Sequence, residues 1–380
     1  MTDLSVGVKI YDNDLFLKYG MEAEAAADLL RSMGVTYVIT QSRFLPMQDS
    51  AVESAVRGDD RARWSKQDDL AFRKALKDRG IAYFGCLNIC FDPAYTRQHP
   101  DLLPIDQNGG LATQEDWYVG IAPDCKENLA HKIGLLETAV HELRPEGIHL
   151  GFVRWPGFWE TWLQDTQRAS KPDYSYAPDT LRRFRDDTGA DIPIDRPREA
   201  AERIASHYRE AWRDWKCGVT VSAIGRLRNA VHAVRPGTEI AINTLPFFRA
   251  DFDDAVTEVF GQDVSRLNAV VDVFEVMAYH QILRRDSAWP AKIARDIKKR
   301  GKARTICTLQ AKAIYLDGMH AGHGRADYIS AVEFSDAVQQ LEASPVDGIC
   351  VFTLSQLIER SGTADGKAMI ARLRNFRQRR

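Results

Sequence analysis

The feature that most constrains this chain is a unit recurring along nearly its whole length: a helix-like stretch, then glycine or proline, then a short apolar run. Gly34 precedes Val35-Thr36-Tyr37-Val38-Ile39-Thr40, Gly80 precedes Ile81-Ala82-Tyr83-Phe84, and Gly147 precedes Ile148-His149-Leu150. The same order returns at Gly237 before Glu239-Ile240-Ala241-Ile242, at Gly301 before Arg304-Thr305-Ile306-Cys307, and at Gly348 before Ile349-Cys350-Val351-Phe352. Residues 6–10 and 271–278 bring the strands to eight. A glycine after a helix is read as its stop, because it takes the left-handed conformation without a Cβ clash. The helices have apolar stripes of their own, Ala26, Leu29, Leu30 and Met33 in one and Leu129, Ile133, Leu136, Val140 and Leu143 in another. Ser330 and Glu333 have the spacing of a capping box before the last strand.

Strands that are apolar almost throughout belong in a parallel sheet covered by helices, and eight of them alternating with helices predict an α/β fold of the closed (β/α)8 barrel type. A doubly wound open sheet is the alternative, but no Gly-x-Gly-x-x-Gly turn follows the first strand. The strands are expected at 6–11, 35–41, 81–88, 147–154, 239–244, 271–279, 304–311 and 348–353. Long loops follow strands 3 and 4. The first, of about 30 residues, is rich in Pro, Asp and Gly, and the second, 157–235, includes helix-like sequence at 197–234. Neither has the strands or apolar mass for its own core, so 1–380 reads as a single barrel domain with 157–235 as a helical elaboration.

Composition excludes several classes. With a formal net charge of −2 over 380 residues and no basic block, nucleic acid is not an expected partner. No apolar run approaches the roughly 20 residues that span a bilayer, and residues 1–5 lack the basic and apolar regions of a signal peptide, so a cytoplasmic protein is expected. The six cysteines are scattered, as small apolar core residues are. Cys86 and Cys90 lack a histidine cluster, and His320 with His323 would be two loop ligands only, so neither a metal nor a cofactor is expected.

In such a barrel the site lies at the C-terminal ends of the strands. Polar residues gather there: Lys9, Tyr11 and Asp12 on the first, Gln41, Arg43 and Asp49 on or after the second, Asn88 and Asp92 on the third, Asn243 on the fifth, Tyr279, His280 and Gln281 on the sixth, Gln310 and Lys312 on the seventh. The fourth carries His149 and then Arg154, Trp155, Phe158, Trp159, Glu160 and Trp162. Aromatic rings beside an arginine and a carboxylate suit stacking on the C–H face of a sugar with hydrogen bonds to its hydroxyls. The plainer reading is a lid that packs its own rings. A ring of amides, cations and phenols is costly to bury unless paired, which favours a polyhydroxylated ligand, a small molecule or an oligosaccharide.

Period-two alternation puts Glu275 on one face with Val273, Met277 and Tyr279, so it projects into the lumen if that face is inward. It is read as a general acid/base with a raised pKa, or else as an ion-pair partner of Lys9, His149 or Arg154. Asp12 and Glu160 are the rival carboxylates.

The segment Gly147-Ile148-His149-Leu150-Gly151-Phe152-Val153-Arg154-Trp155-Pro156 resembles a family of glycoside-hydrolase-like barrels whose fourth strand reads close to Gly-Ile-His-Leu-Asp-Tyr-Ile-Arg-Tyr-Pro. The likeness extends to Trp212-Arg213-Asp214-Trp215-Lys216, Arg235-Pro236-Gly237, Val276-Met277-Ala278-Tyr279-His280 and Asp347-Gly348-Ile349-Cys350-Val351-Phe352, covering about residues 147–354. It implies a (β/α)8 fold and a carbohydrate substrate. Gly151 stands where that family has an aspartate, so the carry-over of catalysis stops there. The expectation is a glycosidase using two carboxylates from Glu275, Asp12 and Glu160, with substrate held by Gln41, Arg43, Asn88, His149, Arg154, Trp155, Trp159, Asn243, Tyr279, His280, Gln310 and Lys312. A sugar or sugar-acid isomerase or lyase using Lys312, His280 or Tyr279, and a noncatalytic carbohydrate-binding barrel, are the alternatives. Composition leaves room for a homo-oligomer.

Overall fold

The computed structural model describes residues 2–11, 14–45, 67–115, 117–312 and 328–376. Its eight strands are β1 (Val6–Ile10), β2 (Tyr37–Thr40), β3 (Ala82–Asn88), β4 (Gly147–Gly151), β5 (Glu239–Thr244), β6 (Val273–Met277), β7 (Arg304–Gln310) and β8 (Gly348–Phe352). Each pairs in parallel with its neighbours in sequence, and β8 closes on β1 with Val6 opposite Ile349, giving the closed barrel expected from the repeat. Each strand falls inside its expected segment, with ends shorter by up to three residues.

Side chains alternate between two cores. Outward residues such as Val8, Val38, Leu87, Ile148, Leu150, Ile242, Phe274, Val276 and Leu309 pack under the surrounding helices. Inward residues, among them Leu4, Tyr37, Ile39, Phe84, Cys86, Ala241, Val273, Ile306 and Cys350, fill the lumen toward its N-terminal end. Tyr37 crosses that lumen and donates from Oη to the Ile349 carbonyl at 2.9 Å. Gly147 is required by close approach: a Cβ there would fall on the Phe84 ring. It is not the stop of the preceding helix, Lys126–Leu143, which ends on Arg144 at φ +46°. Gly80, at φ +72°, does end the helix Asp69–Asp78 in the expected way.

The long connection after β4 carries the helices Pro178–Thr188 and Pro197–Arg203, a π-helical turn Ile204–Tyr208, and Arg209–Val234, which packs beside Lys126–Leu143. Tyr176, Leu181, Phe184, Ala190, Ile192, Ala200, Ile204 and Trp212 form a small buried cluster of their own beside the barrel, apolar mass that the sequence reading did not credit to this segment. Among the described residues no helix is long and apolar enough to cross a membrane.

Candidate active site at the barrel mouth

Five strands place polar side chains at one level of the lumen. Lys9 Nζ lies 2.7 Å from Glu275 Oε1, and His149 Nε2 lies 2.7 Å from Glu275 Oε2. Thr308 donates its hydroxyl to Glu275 Oε1, and Cys86 Sγ sits 3.4 Å from His149 Nδ1. All five residues are at most 1% exposed. Burial by itself would raise the Glu275 carboxyl, but the charges of Lys9 and His149 and their hydrogen bonds outweigh it and hold the group down at about 2. Burial likewise lowers His149, yet the Cys86 sulfur and the Glu275 carboxylate raise it to about 9.

This corrects the reading of Glu275 as a proton donor. A general acid must be protonated at working pH and must reach the leaving oxygen. Glu275 is ionised, sealed and bonded on both oxygens, so of the two roles open to it in the sequence it takes the ion-pair role with Lys9 and His149. His149, expected at the substrate, belongs to the same locked layer, with one ring nitrogen on Glu275 and the other on Cys86.

Two residues further along each strand, alternation brings a second ring of inward side chains to the mouth. It comprises Tyr11, Asn88, Asn243, Met277, Gln310 and Phe352, with Gly151 leaving a gap on β4. Phe352 lies 5.5 Å from the Tyr11 ring and 5.1 Å from that of Tyr279, and Lys9 Nζ is 5.9 Å beneath Phe352. Asn243 accepts the Phe152 N–H at 3.1 Å and turns its amide nitrogen to Met277 Sδ at 3.3 Å. Gln310 donates to the Lys312 carbonyl at 3.1 Å, while its own oxygen is buried without a partner. Asn88 leans across Gly151 so closely that a Cβ at 151 would fall on its Oδ1. An amide thus fills the space an aspartate would need. The described strand-end residues of the lumen are amides, rings and the Met277 thioether, with the carboxylate one level below.

The tryptophans are not exposed platforms. Trp155 is fully buried, its Nε1 donates to the Lys216 carbonyl at 3.1 Å, and its ring lies 6.0 Å from Trp215 and 5.9 Å from the Lys216 ammonium. It fastens the helix Arg209–Val234 to the barrel and is corrected to a packing residue. Trp159 is buried between Phe247 at 6.1 Å and Tyr279 at 5.9 Å, so it backs the mouth without facing it.

Other candidates are distributed around the rim. Arg43 clamps Asp69 through its backbone N–H at 3.0 Å and Nε at 3.2 Å. Lys312 lies 5.6 Å over the Tyr328 ring, and Gln41 is buried at the end of β2. His280 Nε2 is 2.9 Å from Glu333, whose carboxylate also accepts from Gln281. Ser330 caps the Glu333 N–H at 3.1 Å, but the reciprocal half of the expected capping box is missing because this carboxylate turns to His280. Asp92 is committed to capping Pro93–Gln98 and to Lys132 at 2.7 Å. Glu160, 3% exposed in the turn Trp159–Thr161, lies close enough to Tyr118 for its charge to add to the burial that pushes that phenol up. Asp12, Asp49, His320 and His323 lie outside the described residues. The sequence reading missed Phe352 as a mouth residue, although the step of two from Cys350 pointed to it, and it missed Glu333, which has no strand-end signal.

No family profile matches this chain, and no curated protein matches its sequence. Solved structures do match its shape. The PgaB (BpsB) glycoside hydrolase domain of Bordetella bronchiseptica has a TM-score of 0.66 at 14% identity, over 97% of this chain and 99% of that one. Alpha-L-fucosidase isoenzyme 2 of Paenibacillus thiaminolyticus has a TM-score of 0.58 at 14% identity, over 98% of this chain and 49% of that one. Gan42B, a GH42 beta-galactosidase, has a TM-score of 0.61 at 10% identity, over 99% of this chain and 57% of that one. This chain therefore spans nearly the whole of the first and about half the length of the other two. At these identities the shared property is the fold: a (β/α)8 barrel of the kind that glycoside hydrolases use.

Proposed function

We propose that the barrel mouth binds a carbohydrate and that the chain cleaves a glycosidic bond there, with Glu160 and Asp12 as the carboxylates in place of Glu275. The observation that carries this reading is the mouth ring itself. Amides on β3, β5 and β7 share the strand ends with the rings of Tyr11, Tyr279 and Phe352, groups of the kinds that hydrogen-bond hydroxyls and pack on C–H faces. The likeness in fold to the PgaB, fucosidase and galactosidase structures supports it. Beneath the ring, the ionised Glu275 is held by its cations, which leaves proton transfer to Glu160 and Asp12.

A second reading, binding without cleavage, is favoured by the Asn88 amide standing over Gly151. One experiment separates the two: a panel of neutral and acidic aryl glycosides and oligosaccharides, assayed for binding and for product release. Hydrolysis that falls about 10²- to 10⁴-fold in Glu160→Gln, with binding retained, supports the first. Binding with no product from any glycoside supports the second, and no binding at all refutes both.

A further inference from the structure

Among the described residues, buried lysines and arginines have carboxylate partners, with one exception. Lys9 pairs with Glu275 at 2.7 Å, Lys132 with Asp92 at 2.7 Å and Lys216 with Asp173 at 3.2 Å. Arg154, just beyond the end of β4, is 1% exposed, yet none of its Nε, Nη1 and Nη2 atoms has a hydrogen-bond partner. An unpaired buried charge costs several kcal/mol by desolvation, and no described residue offsets it by hydrogen bonding.

The surroundings are rings. The guanidinium lies 4.8 Å over Phe152, which stacks on Phe91 at 4.8 Å. Tyr118 stacks on Phe91 at 5.8 Å and on Phe158 at 5.6 Å, while Trp117 stands edge-on to Phe91 at 5.4 Å and to Phe158 at 5.3 Å. Trp117 Nε1 is a further buried donor without an acceptor. The Tyr118 hydroxyl, near enough to Arg154 to feel its charge, accepts from the Gly157 N–H at 3.1 Å. Glu160, whose charge also reaches Tyr118, makes no hydrogen bond to the guanidinium. The aromatic box thus holds four nitrogen donors in want of acceptors.

Its position is set by strain. Phe152 is held at φ +57°, a conformation costly for an aromatic residue, and its N–H is fixed by the mouth residue Asn243. That turn brings the Phe152 ring under the guanidinium and joins the box to the mouth. Phe152 and Trp117 are both only partly buried, so the box has a side that reaches the surface.

We propose that Arg154 and Trp117 form an anion-recognition subsite at the end of β4, and that the carbohydrate this barrel takes carries a carboxylate there, as a uronic acid does. The proposal rests on the mouth being a carbohydrate site. A planar carboxylate matches the guanidinium fork with two parallel hydrogen bonds and neutralises its charge, which a neutral hydroxyl does not. The aromatic walls exclude water and strengthen the pair.

The test is isothermal titration of the whole chain with methyl glucuronide, methyl galacturonide, their neutral methyl glucoside and galactoside counterparts, and a sulfated methyl glycoside, repeated with Arg154→Met. An acidic glycoside should bind more tightly than its neutral counterpart, and Arg154→Met should weaken the acidic ligand by about 10- to 100-fold while leaving any neutral one within about twofold. Ligand-free Arg154→Met should melt no lower than the wild type, since it removes an unpaired buried charge. Neutral glycosides that bind as tightly as acidic ones, or acidic affinity unchanged in Arg154→Met, would overturn the subsite and leave the carbohydrate mouth standing. Preference for the sulfated ligand over both uronides would overturn the carboxylate assignment. Loss of stability in ligand-free Arg154→Met would overturn the proposal by making the arginine structural, and binding of no glycoside of any class would remove both the subsite and the mouth reading.

Discussion

Replacing Lys9 by Met tests the assignment of the lumenal layer most directly. The side chains are similar in length, so the perturbation removes the charge and its 2.7 Å contact to Glu275 while keeping most of the packing. Glu275 is then left buried with His149 and Thr308 as its partners. Holding the Glu275 carboxyl at about 2, against its ordinary 4.5, corresponds to about 3 kcal/mol in favour of the ionised form, shared between Lys9 and His149. Breaking a buried pair by deleting one partner costs about 3–5 kcal/mol, so a loss of about 2–4 kcal/mol at pH 7 is expected. Urea unfolding measured from pH 3 to 10 gives both the size and the sign. A carboxylate lowered on folding stabilises above its unfolded value and loses that contribution as pH falls toward about 2. A histidine raised to about 9 stabilises below its unfolded value near 6.5 and loses that contribution as pH rises through about 9. Stability from this layer should therefore be greatest between about pH 4.5 and 6.5 and decline on both sides, and Lys9→Met should weaken the acid-side dependence. A Lys9→Met protein within about 0.5 kcal/mol of wild type at pH 7 would refute the reasoning.

Two further substitutions check the corrections at the mouth. Trp155→Ala should lower stability by about 3–5 kcal/mol in chemical denaturation, because it empties a fully buried site under the helix Arg209–Val234; a change below about 1 kcal/mol would show that the ring does not anchor that helix. Gly151→Asp should cost about 1–3 kcal/mol through its clash with Asn88, with much of that cost recovered in Asn88→Gly/Gly151→Asp; equal unfolding midpoints for the single and double variants would sink the steric account.

The barrel was legible because its signal is repetitive. Each apolar run needs only local alternation and a stop to be placed, and eight errors in the same direction are improbable; the strands therefore fell where residues 6–11 through 348–353 were expected. The candidate site was legible in part. Alternation grouped Glu275 with Val273, Met277 and Tyr279 on one face, and position on a strand picked out Lys9 and Asn243, which needs no tertiary information. It does not give depth along the barrel axis, which decided that Glu275 lies one level below the mouth among Lys9, His149 and Thr308. The burial of Trp155 is not legible for a similar reason: the helix that covers it begins more than 50 residues later, and local sequence carries no record of that contact.

Fold class, strand order and the faces that side chains share follow from local properties of the chain, backbone periodicity and helix stops. Which inward charges meet depends on the closed barrel, since Lys9, His149 and Glu275 come from strands far apart in the chain and are joined by the closure of β8 on β1. Folding alone places Asn88 in the space above Gly151 and buries Arg154 among rings with its donors unmet. The physical reason is the same in each case: desolvation, and the pairing that answers it, depend on what surrounds a group in three dimensions, and the order of residues specifies those surroundings only through the folded chain.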